Sequence, residues 1–282
     1  MAITLKEVAE LAGVSRAALV RHVGFRVEDE LVWEADKRRV SAYRTEYFLD
    51  LPLSRKSIPN VDRERSGALL AENAKGALDQ VFGGIEMADE NLVARLATFF
   101  KVFPDAVGEL SEEVRGGLGE VVTHDGLLIA ALPAMCQGLA SFDELVRRPA
   151  MKLAEALWGM LPYKLGQRVK ELLPERLEVP SGSMIKVDYR ADGNPVLAVK
   201  VQELFGQSDT PRVAGGRLPV VLHLLSPALR PLQVTTDLAS FWSRTWPEVR
   251  SEMRTRYPKH VWPENPAEAQ PLQRSIARPR RS

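Results

Sequence analysis

Between Leu177 and Pro263 the chain changes period every few residues, and that limits what it can fold into. Met184 to Tyr189 reads M-I-K-V-D-Y, with Ile185, Val187 and Tyr189 on one side and Met184, Lys186 and Asp188 on the other. A period of two belongs to a strand buried on one face. Ala191-Asp192-Gly193-Asn194-Pro195 is turn chemistry and Val196 to Val201 is a second strand, so the pair reads as a hairpin. Arg217 to Leu225 is a nearly continuous apolar run, suited to a strand buried on both faces with Pro219 near its start. Ser226-Pro227 ends it, and Leu232 to Thr235 adds another short strand. Short strands between Gly/Pro turns predict a small barrel or sandwich. Helical spacing then takes over. The Asp237 carboxylate can accept from free backbone N–H groups and cap a helix on which Leu238, Phe241 and Trp242 recur at i, i+3, i+4. Pro247 suits the first turn of a second helix, which carries Arg250, Arg254 and Arg256 and stops before Pro258.

Ahead of this part, residues 61 to 173 read mainly as helices. Leu92, Leu96, Phe99, Phe100 and Phe103 form an apolar stripe ended by Pro104, and Gly126 to Met135 is apolar enough to be central. Phe25 to Leu53 reads as a hairpin turning at Glu34 to Lys37. Its second arm is basic at Lys37, Arg38, Arg39 and Arg44 with Tyr43 and Tyr47 interleaved, a pattern that holds phosphates and stacks bases, or merely solubilises a strand whose tyrosines pack. Thr4 to Val23 resembles the helix-turn-helix of LacI-type repressors. In that reading Ser15, Arg16 and Arg21 face the major groove; the alternative is a helical hairpin packed on the next domain. The expected organisation is α+β: 1–24 helical, 25–176 hairpin plus helices, 177–263 β-rich with C-terminal helices, and 264–282 a disordered basic tail.

Charge does not announce a nucleic-acid binder, because the net charge is only +1; a local patch remains compatible with it. Cys136 is the only cysteine, which excludes an internal disulfide and a Cys-rich zinc site and fits a reducing cytoplasm. No run approaches the roughly 20 apolar residues of a membrane span. His22, His124, His223 and His260 show no metal-ligand spacing, and no catalytic grouping emerges, so no metal and no catalytic residue is expected. ATP hydrolysis needs a Gly-rich loop ending Gly-Lys-Ser/Thr to cradle phosphates, and no such word occurs, nor any DEAH or DExH word to hold magnesium.

Arg256-Tyr257-Pro258-Lys259-His260-Val261-Trp262-Pro263 interleaves cations with aromatics on an extended segment, as a nucleic-acid grip does. Arg212 and Arg217 form a second basic loop. The competing reading has Tyr257 and Trp262 clamping the tail while the charges are simply solvated.

The same stretch contains a series of words in one order: Val179-Pro180-Ser181-Gly182-Ser183, Asp188-Tyr189, Gln202-Glu203-Leu204-Phe205-Gly206, Thr210-Pro211-Arg212, Leu224-Leu225-Ser226-Pro227, Asp237-Leu238-Ala239-Ser240-Phe241-Trp242 and Arg256-Tyr257-Pro258-Lys259-His260. They resemble the C-terminal region of the bacterial HrpB-type DEAH-box ATP-dependent helicases, and Leu31 to Arg176 follows the family more loosely. The resemblance covers only the region after the motor. It implies an accessory module that holds nucleic acid, RNA above all, or docks on a motor chain that carries the ATP and magnesium. Two alternatives stand beside it: a DNA-binding regulator working through Thr4 to Val23, and a truncated helicase remnant without a role of its own.

Overall fold

The computed structural model describes residues 5–11, 13, 15, 17–18, 25–59, 62–190 and 193–271. The chain divides into two compact units. One comprises the residues up to Ile85 together with Leu128–Gly159; the other comprises Glu86–Leu127 and the residues from Met160 onward. The sequence-expected segment 25–176 therefore contributes to both.

The first unit is built on an antiparallel sheet of β1 (Phe25–Glu34), β2 (Arg39–Phe48) and β3 (Leu51–Ile58), in that order. The β1–β2 register runs without a break from Phe25 opposite Phe48 to Glu34 opposite Arg39. Arg38 takes φ 49° to close the turn. Val40 and Ala42 are buried on one face, where Trp33 meets Phe142 at 6.4 Å and Arg38 lies 4.8 Å from the same ring. β3 extends the expected hairpin to three strands; Pro52, Arg55 and Lys56 hide its alternation. Asp62 caps the helix Arg63–Ala74 by accepting from the Glu64 and Arg65 N–H groups, and this helix packs on β1 and β2. A Cβ on Gly67 would meet the Cys136 carbonyl oxygen at 2.5 Å, so only glycine fits there.

The second unit centres on the helix Met87–Val102 and a five-stranded sheet in the order β10-β9-β6-β5-β4. The strands are β4 (Arg176–Glu178), β5 (Met184–Asp188), β6 (Val196–Lys200), β9 (Val221–Leu225) and β10 (Pro231–Thr235). β7 (Arg212–Val213) and β8 (Leu218–Pro219) form a separate two-stranded ribbon. The class is α+β as read, and the sheet is open: among the described residues no pairing joins β4 to β10, so no barrel closes. The β6–β9 pair is parallel, which demands a crossover rather than a tight turn. The single strand expected over Arg217–Leu225 is split, because Pro219 ends β8 and the buried Val220 N–H donates to Pro211 O at 3.0 Å.

Arg95 is 2% exposed, donates from Nε to Leu173 O at 2.5 Å, and reaches the solvated Glu175 carboxylate at 2.9 Å. The Tyr189 hydroxyl donates to Pro174 O at 2.8 Å, and burial pushes its pKa up. Asp237 caps the next helix by accepting from the Ser240 N–H at 2.9 Å. That helix passes through a π turn at Phe241–Thr245 into Trp246–Arg256. The wider turn carries Phe241, Trp242 and Trp246 to one buried cluster with Phe205, where Trp242 and Trp246 meet edge to face at 5.3 Å.

Candidate nucleic-acid interface

The helix Trp246–Arg256 stops where the sequence requires. Pro258 has no N–H to donate, and the last turn closes with the Tyr257 N–H on Met253 O at 2.7 Å. The chain then turns back as a strap whose carbonyls are held one after another. Trp262 Nε1 donates to Tyr257 O at 3.0 Å, and the buried Gln202 donates to Val261 O at 3.2 Å. Arg250 Nε donates to Trp262 O at 2.9 Å, and Trp246 Nε1 to Pro263 O at 3.0 Å. Arg250 also pairs with Glu264 at 3.1 Å, and the Gly206 N–H donates to Pro266 O at 2.9 Å. Residues 264–271, within the stretch expected to be a disordered tail, are thus held at these points, while 272–282 lie outside the described residues.

This anchoring sorts the predicted site residues. Arg256, the last residue of the helix, and Lys259 and His260 on the strap are exposed. Arg256 has only a loose pairing with Glu252 at 3.5 Å, and the His260 ring stands edge-on to Tyr257 at 6.1 Å. Tyr257 is half-buried with its hydroxyl 3.5 Å from Ser226 Oγ. Trp262 is only 7% exposed and packs 6.1 Å from Trp246, so its ring anchors the strap and turns no open face to solvent. The clamp that the sequence offered as the competing reading is therefore present for Trp262, alongside the exposed cations.

The second basic loop is built differently. Arg212 Nε donates to Gly216 O at 2.5 Å and so clips the β7–β8 turn, in which Ala214, Gly215 and Gly216 all take positive φ. Arg217 lies 4.8 Å from the Phe103 ring. Both arginines are exposed. They precede β9, whereas Tyr257 touches Ser226 just after it. The two groups are thus tied to opposite ends of β9.

Ser15 Oγ accepts from the Ala18 N–H at 3.2 Å; Arg16 and Arg21 lie outside the described residues. Burial raises the Cys136 thiol to about 12, which leaves it an inert thiol at neutral pH. Among the described residues no group of His, Cys, Asp and Glu is placed to hold a metal ion. No described helix is long and apolar enough to cross a membrane. A cavity of about 680 Å³ that no sequence pattern signals lies beside the C-terminal half of the helix Met87–Val102, lined by Phe100, Val107, Val121, His124 and Leu218. His124 Nε2 lies 3.1 Å from Glu90 Oε1 but without hydrogen-bond alignment.

Comparison with known proteins gives consistent matches. Residues 132–266 match the family model described as ATP-dependent helicase C-terminal, of the HrpB type. Over 154 residues, 55% of this chain, the sequence is 43% identical to the ATP-dependent RNA helicase HrpB of Escherichia coli (strain K12), and the match spans 19% of that protein. The crystal structure of the E. coli DExH-box NTPase HrpB superposes with a TM-score of 0.66 at 32% identity, covering 93% of this chain and 31% of that one. A crystal structure of the E. coli DEAH/RHA helicase HrpB gives 0.57 at 31% identity over 85% of this chain and 29% of that one.

Proposed function

We propose, from the match of residues 132–266 to the C-terminal region of the HrpB-type helicases, that this chain is an accessory module of an HrpB-like ATP-dependent helicase. It holds single-stranded nucleic acid, RNA in the first place, and has no ATPase of its own. The relative that carries the name is an ATP-dependent RNA helicase, of which this chain spans 19%. A cytoplasmic setting goes with this reading.

The observation that supports it is the strap. Four of its carbonyls are tied down by buried or half-buried side chains, which leaves Arg256, Lys259 and His260 held out in solvent on a pre-set backbone. The backbone that carries these cations is already ordered, which removes that part of the cost of gripping phosphates. Arg212 and Arg217, exposed on the β7–β8 loop, give a strand of several nucleotides a second contact.

The test is binding of labelled single-stranded RNA, single-stranded DNA and duplex DNA across a salt series, with ATPase assayed alongside. Each single-strand phosphate contact contributes about 0.7 to the slope of log affinity against log salt. The double variant Arg256→Ala/Lys259→Ala should therefore flatten the slope by about 1.4. Absence of binding at low salt overturns this reading and leaves docking on a motor chain. A preference for duplex DNA with sequence selectivity points instead to the segment Thr4–Val23.

A further inference from the structure

The five-stranded sheet of the second unit buries one face and leaves the other open. Val187, Leu197, Val199, Leu222 and Leu224 point inward and are at most 2% exposed. Side chains alternate along a strand, so the residues between them lie on the opposite face. The register sets these in a row across the strands. Arg176 on β4 stands opposite Lys186 on β5, Ala198 on β6 is level with His223 on β9, and His223 is opposite Val234 on β10. The pairing of Val187 with Leu197 joins the two halves of the row. Ala198 is exposed in its middle, and Met184 and Val234 are more than half exposed.

This face is cationic. Arg176 and Lys186 are both exposed and directly opposed across a strand pair, an arrangement in which like charges are destabilising. Arg176 is held over β5 by donating from its guanidinium to Met184 O at 3.0 Å. Among the described residues Lys186 and Lys200 have no ion-pair or hydrogen-bond partner. The acids on the face are Glu178, opposite Met184, and Asp188, which Arg190 takes at 3.0 Å. An anion laid over Arg176 and Lys186 turns their mutual repulsion into a shared attraction.

The strap crosses one end of this sheet. β6 and β9 are parallel, with Lys200 level with Leu225. Gln202, just past β6, holds Val261 O, and Ser226, the residue after β9, meets the Tyr257 hydroxyl. Lys200 is therefore the cation of the face that lies at the strap's end of the sheet. We propose that the open face is a track for the sugar-phosphate backbone of a single-stranded nucleic acid, leading from the strap past Lys200 to Lys186 and Arg176. Among the described residues the face carries no Phe, Tyr or Trp on which a base could stack, so the contact is with phosphates and tolerates any base sequence. The inference rests on the nucleic-acid reading above and extends it to residues that reading does not use.

The experiment acetylates the lysines of the full chain with and without a single-stranded RNA of about 16 nucleotides, reading each site by mass spectrometry. Saturating RNA should slow the reaction of Lys186 and Lys200 several-fold, as well as that of Lys259. Lys186→Ala/Lys200→Ala should flatten the slope of log affinity against log salt by about 1.4, and Lys186→Arg/Lys200→Arg should keep the parent slope. Removing Lys186 also relieves its repulsion with Arg176, so the alanine variant should melt no lower than the parent. Protection of Lys259 alone, with an unchanged slope in the alanine variant, overturns the track and leaves the strap standing. Protection of none of the three lysines overturns the nucleic-acid reading and the track with it. Poly-glutamate that protects Lys186 and Lys200 as well as RNA does, at equal charge concentration, assigns the face to an acidic protein segment and likewise overturns the proposal.

Discussion

Trp262 is the residue on which the two readings of the strap divide most sharply. Its ring is 7% exposed, its Nε1 donates to Tyr257 O at 3.0 Å, and it packs 6.1 Å from Trp246. A buried tryptophan removes about 200 Å² from water, worth about 5 kcal/mol as an upper figure from area alone. Truncations of buried tryptophan to alanine cost about 3–5 kcal/mol, which agrees. Trp262→Phe keeps most of the ring but loses one hydrogen bond and part of the apolar area, so it should cost about 1–2 kcal/mol. Urea unfolding with an unchanged m-value gives the stability, and amide hydrogen exchange over residues 257–263 reports the strap itself. The expected result for Trp262→Phe is faster exchange in the strap, the stated loss of stability, and RNA affinity within threefold of the parent. Stability within about 0.5 kcal/mol of the parent, as at an ordinary surface site, together with a tenfold loss of affinity, would mean that the ring faces the ligand. That outcome refutes the anchoring argument.

Other consequences follow from the two units. Arg95→Met removes the donor to the fully buried Leu173 carbonyl, while the exposed Glu175 simply returns to water. The cost should be about 1–3 kcal/mol, seen as a lower urea midpoint. Gly67→Ala forces a methyl onto the Cys136 carbonyl and should cost about 1–3 kcal/mol, whereas Gly76→Ala, which meets nothing within 4 Å, should be neutral or slightly stabilising; thermal melts of the two variants decide. Hydrogen bonds from Ser41, Tyr43 and Lys37 hold the Glu34 carboxyl at about 2 against an ordinary value of 4.5. Because the folded value is the lower one, the stability this group contributes is complete above pH 4.5 and is lost as pH falls toward 2. The Glu34 carbon resonance should titrate near 2, and Glu34→Gln should remove that part of the acid sensitivity.

Local pattern made the elements of this chain legible wherever one face of an element is buried. Val187 and Tyr189 are on the buried side of their strand as the alternation required, and Pro104, Pro247 and Pro258 punctuate the helices where expected. β3 escaped because both its faces are largely solvated, so nothing selected a period of two in Pro52 to Ser57. The parallel pairing of β6 with β9 and the interleaving of the two units join residues far apart in the chain, which periodicity over a dozen residues does not register.

The candidate sites expose a sharper limit. Tyrosine, tryptophan and arginine make up both the strap and one face of the first unit's sheet, and their spacing is equally suited to packing and to stacking a ligand. What assigns the roles is whether each ring already has a cover. Trp262 is covered by Trp246, sixteen positions earlier on a helix, and its N–H is spent on the strap's own backbone. Tyr47 carries Arg26 at 4.7 Å from its ring and lines a shallow hollow with Pro52 and Leu53, while the Thr45 hydroxyl beside it is buried without a partner. A buried polar atom without a partner cannot be read from a sequence, since it is defined by what the rest of the fold fails to bring to it. It follows that the fold holds Trp262 in place for its own stability, a role that the spacing of aromatics along the chain does not announce.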